Sequence, residues 1–90
     1  MNHPTPPVLF ITFCRPKLTA CVFAAIRAAR PAQLFVAQDG PRADHPEDIG
    51  NCRRTRAIAT AVDWPCEVKT LFQERNLGVG IGCSTAIRWF

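Results

Sequence analysis

Arg15, Asp39 and Arg42 are the side chains of this 90-residue chain best placed to meet a ligand, because each stands in a short polar loop directly after an apolar run. Cys14-Arg15-Pro16 follows Val8 to Phe13, and Gln38-Asp39-Gly40-Pro41-Arg42 follows Leu34 to Ala37. A carboxylate in such a loop accepts hydrogen bonds from a base N–H or a ribose hydroxyl. Guanidinium groups beside it donate charge-assisted bonds to a diphosphate. A purely local account competes with this one. Asp-Gly favours tight turns whatever is bound, and a lone loop arginine such as Arg42 is ordinarily solvated. Asn76, in a third polar loop, has the same two readings, as a brace for the turn that follows it or as a ligand contact.

Other chemistries fit less well. Gly78-Val79-Gly80-Ile81-Gly82 has the glycine density of a dinucleotide fingerprint, but that fingerprint needs G-x-G-x-x-G directly after the first strand. Here the glycines follow the third apolar run, their last spacing is wrong, and the loop after the first run has none. The Walker phosphate loop is absent. Cysteines 14, 21, 52, 66 and 83 are odd in number, form no C-x-x-C pair, and mostly sit among apolar residues. That pattern predicts reduced, structural thiols. Cys14 differs in lying beside Arg15, whose charge favours the thiolate, yet no His or Asn is placed to complete a nucleophilic pair.

The elements that must position these residues alternate. Val8 to Phe13, Leu34 to Ala37 and Cys66 to Phe72 are rich in β-branched and aromatic residues and predict strands. Pro16 suits the first turn of a helix whose residues Leu18, Cys21, Val22, Ala25, Ile26 and Ala29 share one face, and Pro31 ends it. Asp44 with Glu47 three residues on matches a capping box for a second helix running to about Val62, before Asp63-Trp64-Pro65 breaks it. A third helix is expected from about Val79 to Phe90. Residues 1–7, with three prolines, predict an irregular lead-in. The order β-α-β-α-β-α is half of a doubly wound, Rossmann-like parallel sheet, with the strands in spatial order three, two, one. In such sheets ligands bind beyond the strands' carboxyl ends, where the three loops lie.

Composition sets the bounds. An apolar fraction of 48% and a charged fraction of 20% belong to a globular domain, and the length suffices for one. No apolar stretch approaches the roughly 20 residues of a membrane span, and the amino terminus lacks the pattern of a signal peptide, which together predict a cytoplasmic protein. The net charge of +4 gives thin support for nucleic-acid binding. Its only cluster, Arg53, Arg54 and Arg56, has no interleaved aromatics and reads as a solvated helix face.

Taken in order, Val8 to Pro16, Leu34 to Gly40 and Cys66 to Lys69 followed by Arg75-Asn76-Leu77-Gly78 resemble the opening segments of a GT-A-type nucleotide-diphospho-sugar transferase. The likeness is to bacterial family-2-like sugar transferases and to N-acetylglucosaminyltransferase I. It covers nearly the whole chain. It implies that Thr12, Phe13 and Arg15 border the nucleotide, that Asp39 contacts uracil or ribose, and that residues from Gly78 to Ser84 line the far side. Ser84 stands where many such enzymes carry Asn. The donor implied is a nucleotide sugar, a UDP-sugar foremost. The resemblance also implies Mn²⁺ or Mg²⁺ in the full-length enzyme, bound by an Asp-x-Asp motif expected after the next strand. The chain's last residue, Phe90, falls before that point in an uncapped apolar pattern, so the expectation is an inactive amino-terminal fragment. The rival reading is a small α/β interaction module that pairs through an open strand edge.

Overall fold

The computed structural model describes residues 6–90, so most of the expected lead-in lies outside the described residues. Six elements follow in the order β1 (Val8–Thr12), α1 (Pro16–Ala29), β2 (Gln33–Gln38), α2 (Glu47–Ala59), β3 (Glu67–Phe72) and α3 (Val79–Trp89). The strands form one parallel sheet with β2 in the centre, Val8 opposite Leu34 and Gln33 opposite Glu67. Because side chains alternate along a strand, this register sorts the sheet into two faces. Phe10, Leu34, Val36 and Val68 meet Phe23 and Ile26 of α1, Ile58 and Ala59 of α2, and Trp64. On the other face Phe35 packs edge-on against Trp89 and Phe90, at centroid distances of 5.4 and 5.0 Å, which places α3 there. Helices thus cover both faces of a three-stranded parallel sheet.

Local chemistry explains the boundaries. Pro16 opens α1, where its missing N–H costs nothing, and Arg30 closes it in a left-handed conformation with φ of 49° while its amide bonds back to Ile26 and Arg27. Trp64 ends the α2 connection by donating its indole N–H to the Pro31 carbonyl at 2.8 Å, which fixes a buried aromatic with its polar atom satisfied.

Four expectations need correction. The capping box does not form. Pro46 takes the N-cap position without any side-chain bond, Glu47 reaches the His45 ring instead, and α2 ends at Ala59 rather than Val62. Proline's fixed φ already sets the helical entry that Asp44 was expected to provide. The inward face of α1 is Thr19 and Phe23 with Ile26 beside them, whereas Leu18 and Val22 are 59% and 40% exposed. Two apolar stripes compete on this helix, and the one holding Phe23 has the larger area to bury. Cys14 and Cys52 form a disulfide rather than staying reduced, while Cys21, Cys66 and Cys83 are free. Sequence spacing cannot reveal this pair, because the fold alone brings the β1–α1 loop against α2. Finally, Arg56 is not a solvated residue like Arg53. Its guanidinium lies 4.7 Å from the Phe72 ring centre and donates to the Gln73 carbonyl.

Candidate functional site

At the carboxyl ends of the three strands lies a cleft of about 390 Å³, within the roughly 300 to 1,000 Å³ range of small-molecule sites. Thr12, Phe13 and Arg15 border it from the first loop, Asp39 and Arg42 from the second, and Asn76 and Gly78 from the third. Five of the six predicted nucleotide-binding residues are therefore brought together. Ser84 is not among them. It lies beyond the cleft lining and donates its hydroxyl to the Ile81 carbonyl one helical turn back, while Gly82 and Cys83 reach the cleft in its place.

The polar groups divide into those already engaged and those left free. Asp39 accepts three backbone N–H bonds, from Gly40 (2.8 Å) and Leu77 (2.7 Å) on Oδ1 and from Gly78 (3.0 Å) on Oδ2. Its charge thereby sits at the entrance of α3, whose N-cap, Gly78, supplies no side chain of its own, and a carboxylate there complements the helix dipole. Gly78 adopts φ of 87°, which glycine takes without steric cost. Asn76 joins the same tie by donating to the Gly40 carbonyl at 2.9 Å, so its bracing role is realised. The two loops approach so closely that a Cβ on Gly40 would stand 2.5–2.7 Å from the Arg75 backbone.

Arg42 remains exposed, as a loop arginine is expected to be, but its guanidinium is not free. Its Nε and Nη2 donate to both oxygens of Asp48 at 2.8 and 3.1 Å, and its backbone N–H adds a third bond at 3.1 Å. The guanidinium also lies 5.5 Å from the Phe13 ring centre. Asp48 itself is 1% exposed. The hydrogen bond from Arg42 holds the Asp48 carboxyl down to about 2 against the opposing effect of burial, and the same bond holds the guanidinium's proton more firmly. Thr12 is similarly committed. Its buried hydroxyl donates to Gln38 Oε1 at 3.1 Å, and Gln38 passes the chain on to the Cys52 carbonyl at 3.1 Å. Sequence reasoning missed both Asp48 and Gln38. The signal for Gln38 was a polar residue at the end of a buried strand, and that for Asp48 was an acid in a helix's first turn facing a loop arginine.

Arg15 is the exception. It is exposed at the cleft mouth, and no carboxylate pairs with it among the described residues. Apolar Ile11, Leu18 and Val79 flank it around the rim. A metal fits poorly here. Asp39 is the only carboxylate among the described lining residues, and three amide N–H groups already occupy three of its four lone pairs. No cluster of three or more His, Cys, Asp or Glu suited to a metal occurs among the described residues. Among the same residues no helix is long and apolar enough to cross a membrane.

The chain matches no family model, no curated protein and no solved structure.

Proposed function

We propose that the cleft binds the diphosphate and nucleoside of a nucleotide sugar, as the donor-binding portion of a Rossmann-like, GT-A-type glycosyltransferase. One observation carries the reading: a cleft of ligand size lies at the carboxyl edge of a parallel sheet with an unpaired guanidinium, Arg15, at its mouth. Parallel α/β sheets take their ligands at that edge. Helices α1 and α3 both begin beside the cleft, so the positive ends of two dipoles favour an anion there. The apolar rim formed by Phe13, Leu18 and Val79 suits the faces of a base or sugar.

Exposure and hydrogen bonding support distinct roles within this reading. Arg15 donates to the diphosphate. Asp39 shapes the pocket wall by holding the third loop against the second, and Oδ2, which accepts a single amide, keeps one lone pair for a base or ribose donor. Arg42 holds the second loop through Asp48 rather than meeting phosphate. No chemical step is assigned to the chain.

Calorimetric titration of the chain with UDP tests the proposal. Arg15→Ala is expected to weaken UDP by about tenfold or more, the loss of one charge-assisted contact, with thermal stability unchanged. Equal affinity in the variant removes Arg15 from the site. If no nucleoside diphosphate binds, the proposal fails. The reading then favoured is a strand-edge interaction module, since β1 is paired only on its β2 side among the described residues.

A further inference from the structure

We infer that the Cys14–Cys52 pair is a thiol–disulfide control on the nucleotide cleft, acting through the loop that carries Arg15. The inference rests on the cleft reading above. Cys14 lies between two residues that border the cleft, Phe13 and Arg15, while Cys52 is buried in α2. Cys14 also has a positive φ of 33°, a conformation that a residue with a side chain keeps only where its surroundings enforce it. The bond to Cys52 is a covalent restraint of that kind. Once it opens, Cys14 is free to relax to negative φ. The next residue in the chain, Arg15, turns with it.

The effect is one-sided. With the disulfide broken, α2 stays held to β2 and its loop, because Gln38 still donates to the Cys52 carbonyl and Arg42 still grips Asp48. The third loop also stays in place through Asp39 and Asn76. Only the Phe13–Arg15 segment loses its covalent tether, keeping the weaker contacts of Cys14 Sγ with the Asp48 carbonyl at 3.6 Å and of Phe13 with the Arg42 guanidinium, and it carries the one unpaired cation of the cleft among the described residues. The accessible sulfur is that of Cys14, which is half-buried, whereas Cys52 is 3% exposed. A dithiol reductant therefore attacks Cys14 Sγ as its thiolate, and Cys52 leaves as thiolate and takes up a proton. The reductant's second sulfur then displaces Cys14, which is protonated in turn. Two electrons pass to the protein, two thiols form, and the reductant ends as a disulfide.

The test titrates UDP into the full chain, first air-oxidised and then treated with a small dithiol. Alkylation with mass analysis should find Cys14 and Cys52 blocked in the first state and free in the second, and finding both free in the oxidised chain overturns the inference. Reduction is expected to weaken UDP on the order of fivefold, as the binding loop must then be ordered by the ligand. Cys14→Ser should bind as the reduced chain does and ignore the dithiol, while Cys21→Ser should respond as the unaltered chain does. UDP bound equally in both states overturns the inference and leaves the cleft reading standing. No binding in either state overturns both. Should Cys14→Ser fail to fold, amide exchange of the unaltered chain decides: the Thr19 N–H, bonded to the Arg15 carbonyl at 2.9 Å, must exchange faster after reduction, and an unchanged rate overturns the inference.

Discussion

Asp39 and Asp48 both follow β2, each accepts three hydrogen bonds, and they do opposite kinds of work. Asp39 takes its partners from backbone amides across two loops, so it fixes where the chain goes at the β3-to-α3 turn. Asp48 takes its partners from one residue, Arg42, using that arginine's side chain and its amide. The first tie is wholly to peptide groups, which only a proline removes, whereas two of the second's three bonds come from a side chain that any truncation removes. Carboxylates with the same local signature, one in a turn and one in a first helical turn, therefore differ in what breaks them.

The largest expected effect tests the Asp39 side at its tightest point. Gly40→Ala should cost about 3 kcal/mol in denaturant unfolding, because the added methyl collides with the Arg75 backbone and the loops must part. A loss under half of that would show that the loops yield easily. Asp39→Ala comes next, at about 2 kcal/mol for the lost charge-assisted acceptor, with amide exchange quickening at Leu77 and Gly78 and not in α2. Uniform quickening would erase the distinction between the two carboxylates.

Acid sharpens the comparison from the Asp48 side. Its carboxyl is held below the unfolded value near 3.8, down to about 2, so the stabilisation from the Arg42 pair is fully present above about pH 4. It is lost as the pH falls through 2. Asp48→Asn should flatten stability against pH across that window, and an equally steep curve in the variant would show that another group titrates there. The smallest effect concerns the free thiols. Cys21 is exposed, whereas burial pushes the Cys66 thiol up, with a smaller push from Glu67. Alkylation at pH 8 should modify Cys21 first, and Cys21→Ser should change stability by no more than about 0.5 kcal/mol. Cys66 reacting as fast as Cys21 would contradict its placement.

The strands and helices were legible to within one residue at most ends because Pro16, Pro31 and Pro65 punctuate strongly periodic runs. The location of the cleft was legible for the same reason, since parallel topology dictates where loops converge. Partner choice was not. Whether Arg42 meets solvent, phosphate or Asp48 depends on the angle at which α2 enters, and Pro46 sets that angle without any pattern visible in the neighbouring residues. The disulfide was invisible for a similar reason, as nothing local announces that residues 14 and 52 converge. The face of α1 was misjudged because alanines and a cysteine enlarge the wrong stripe in a periodicity count while burying little area.

The parallel register of the sheet carries a consequence for how the molecule assembles. Every ladder bond joins residues separated by a whole helix and two loops, and among the described residues no hairpin exists to form early and cheaply. The central strand, β2, must recruit both neighbours over long stretches of chain before any sheet bond offsets the lost entropy. Collapse of Phe23, Trp64 and Leu34 into one cluster is the step that can bring all three within reach, since these residues come from a helix, a loop and the central strand. Acquisition of the native state should therefore be slow for a protein of this length, and its rate should be far more sensitive to changes at Leu34 than at the exposed Ile87.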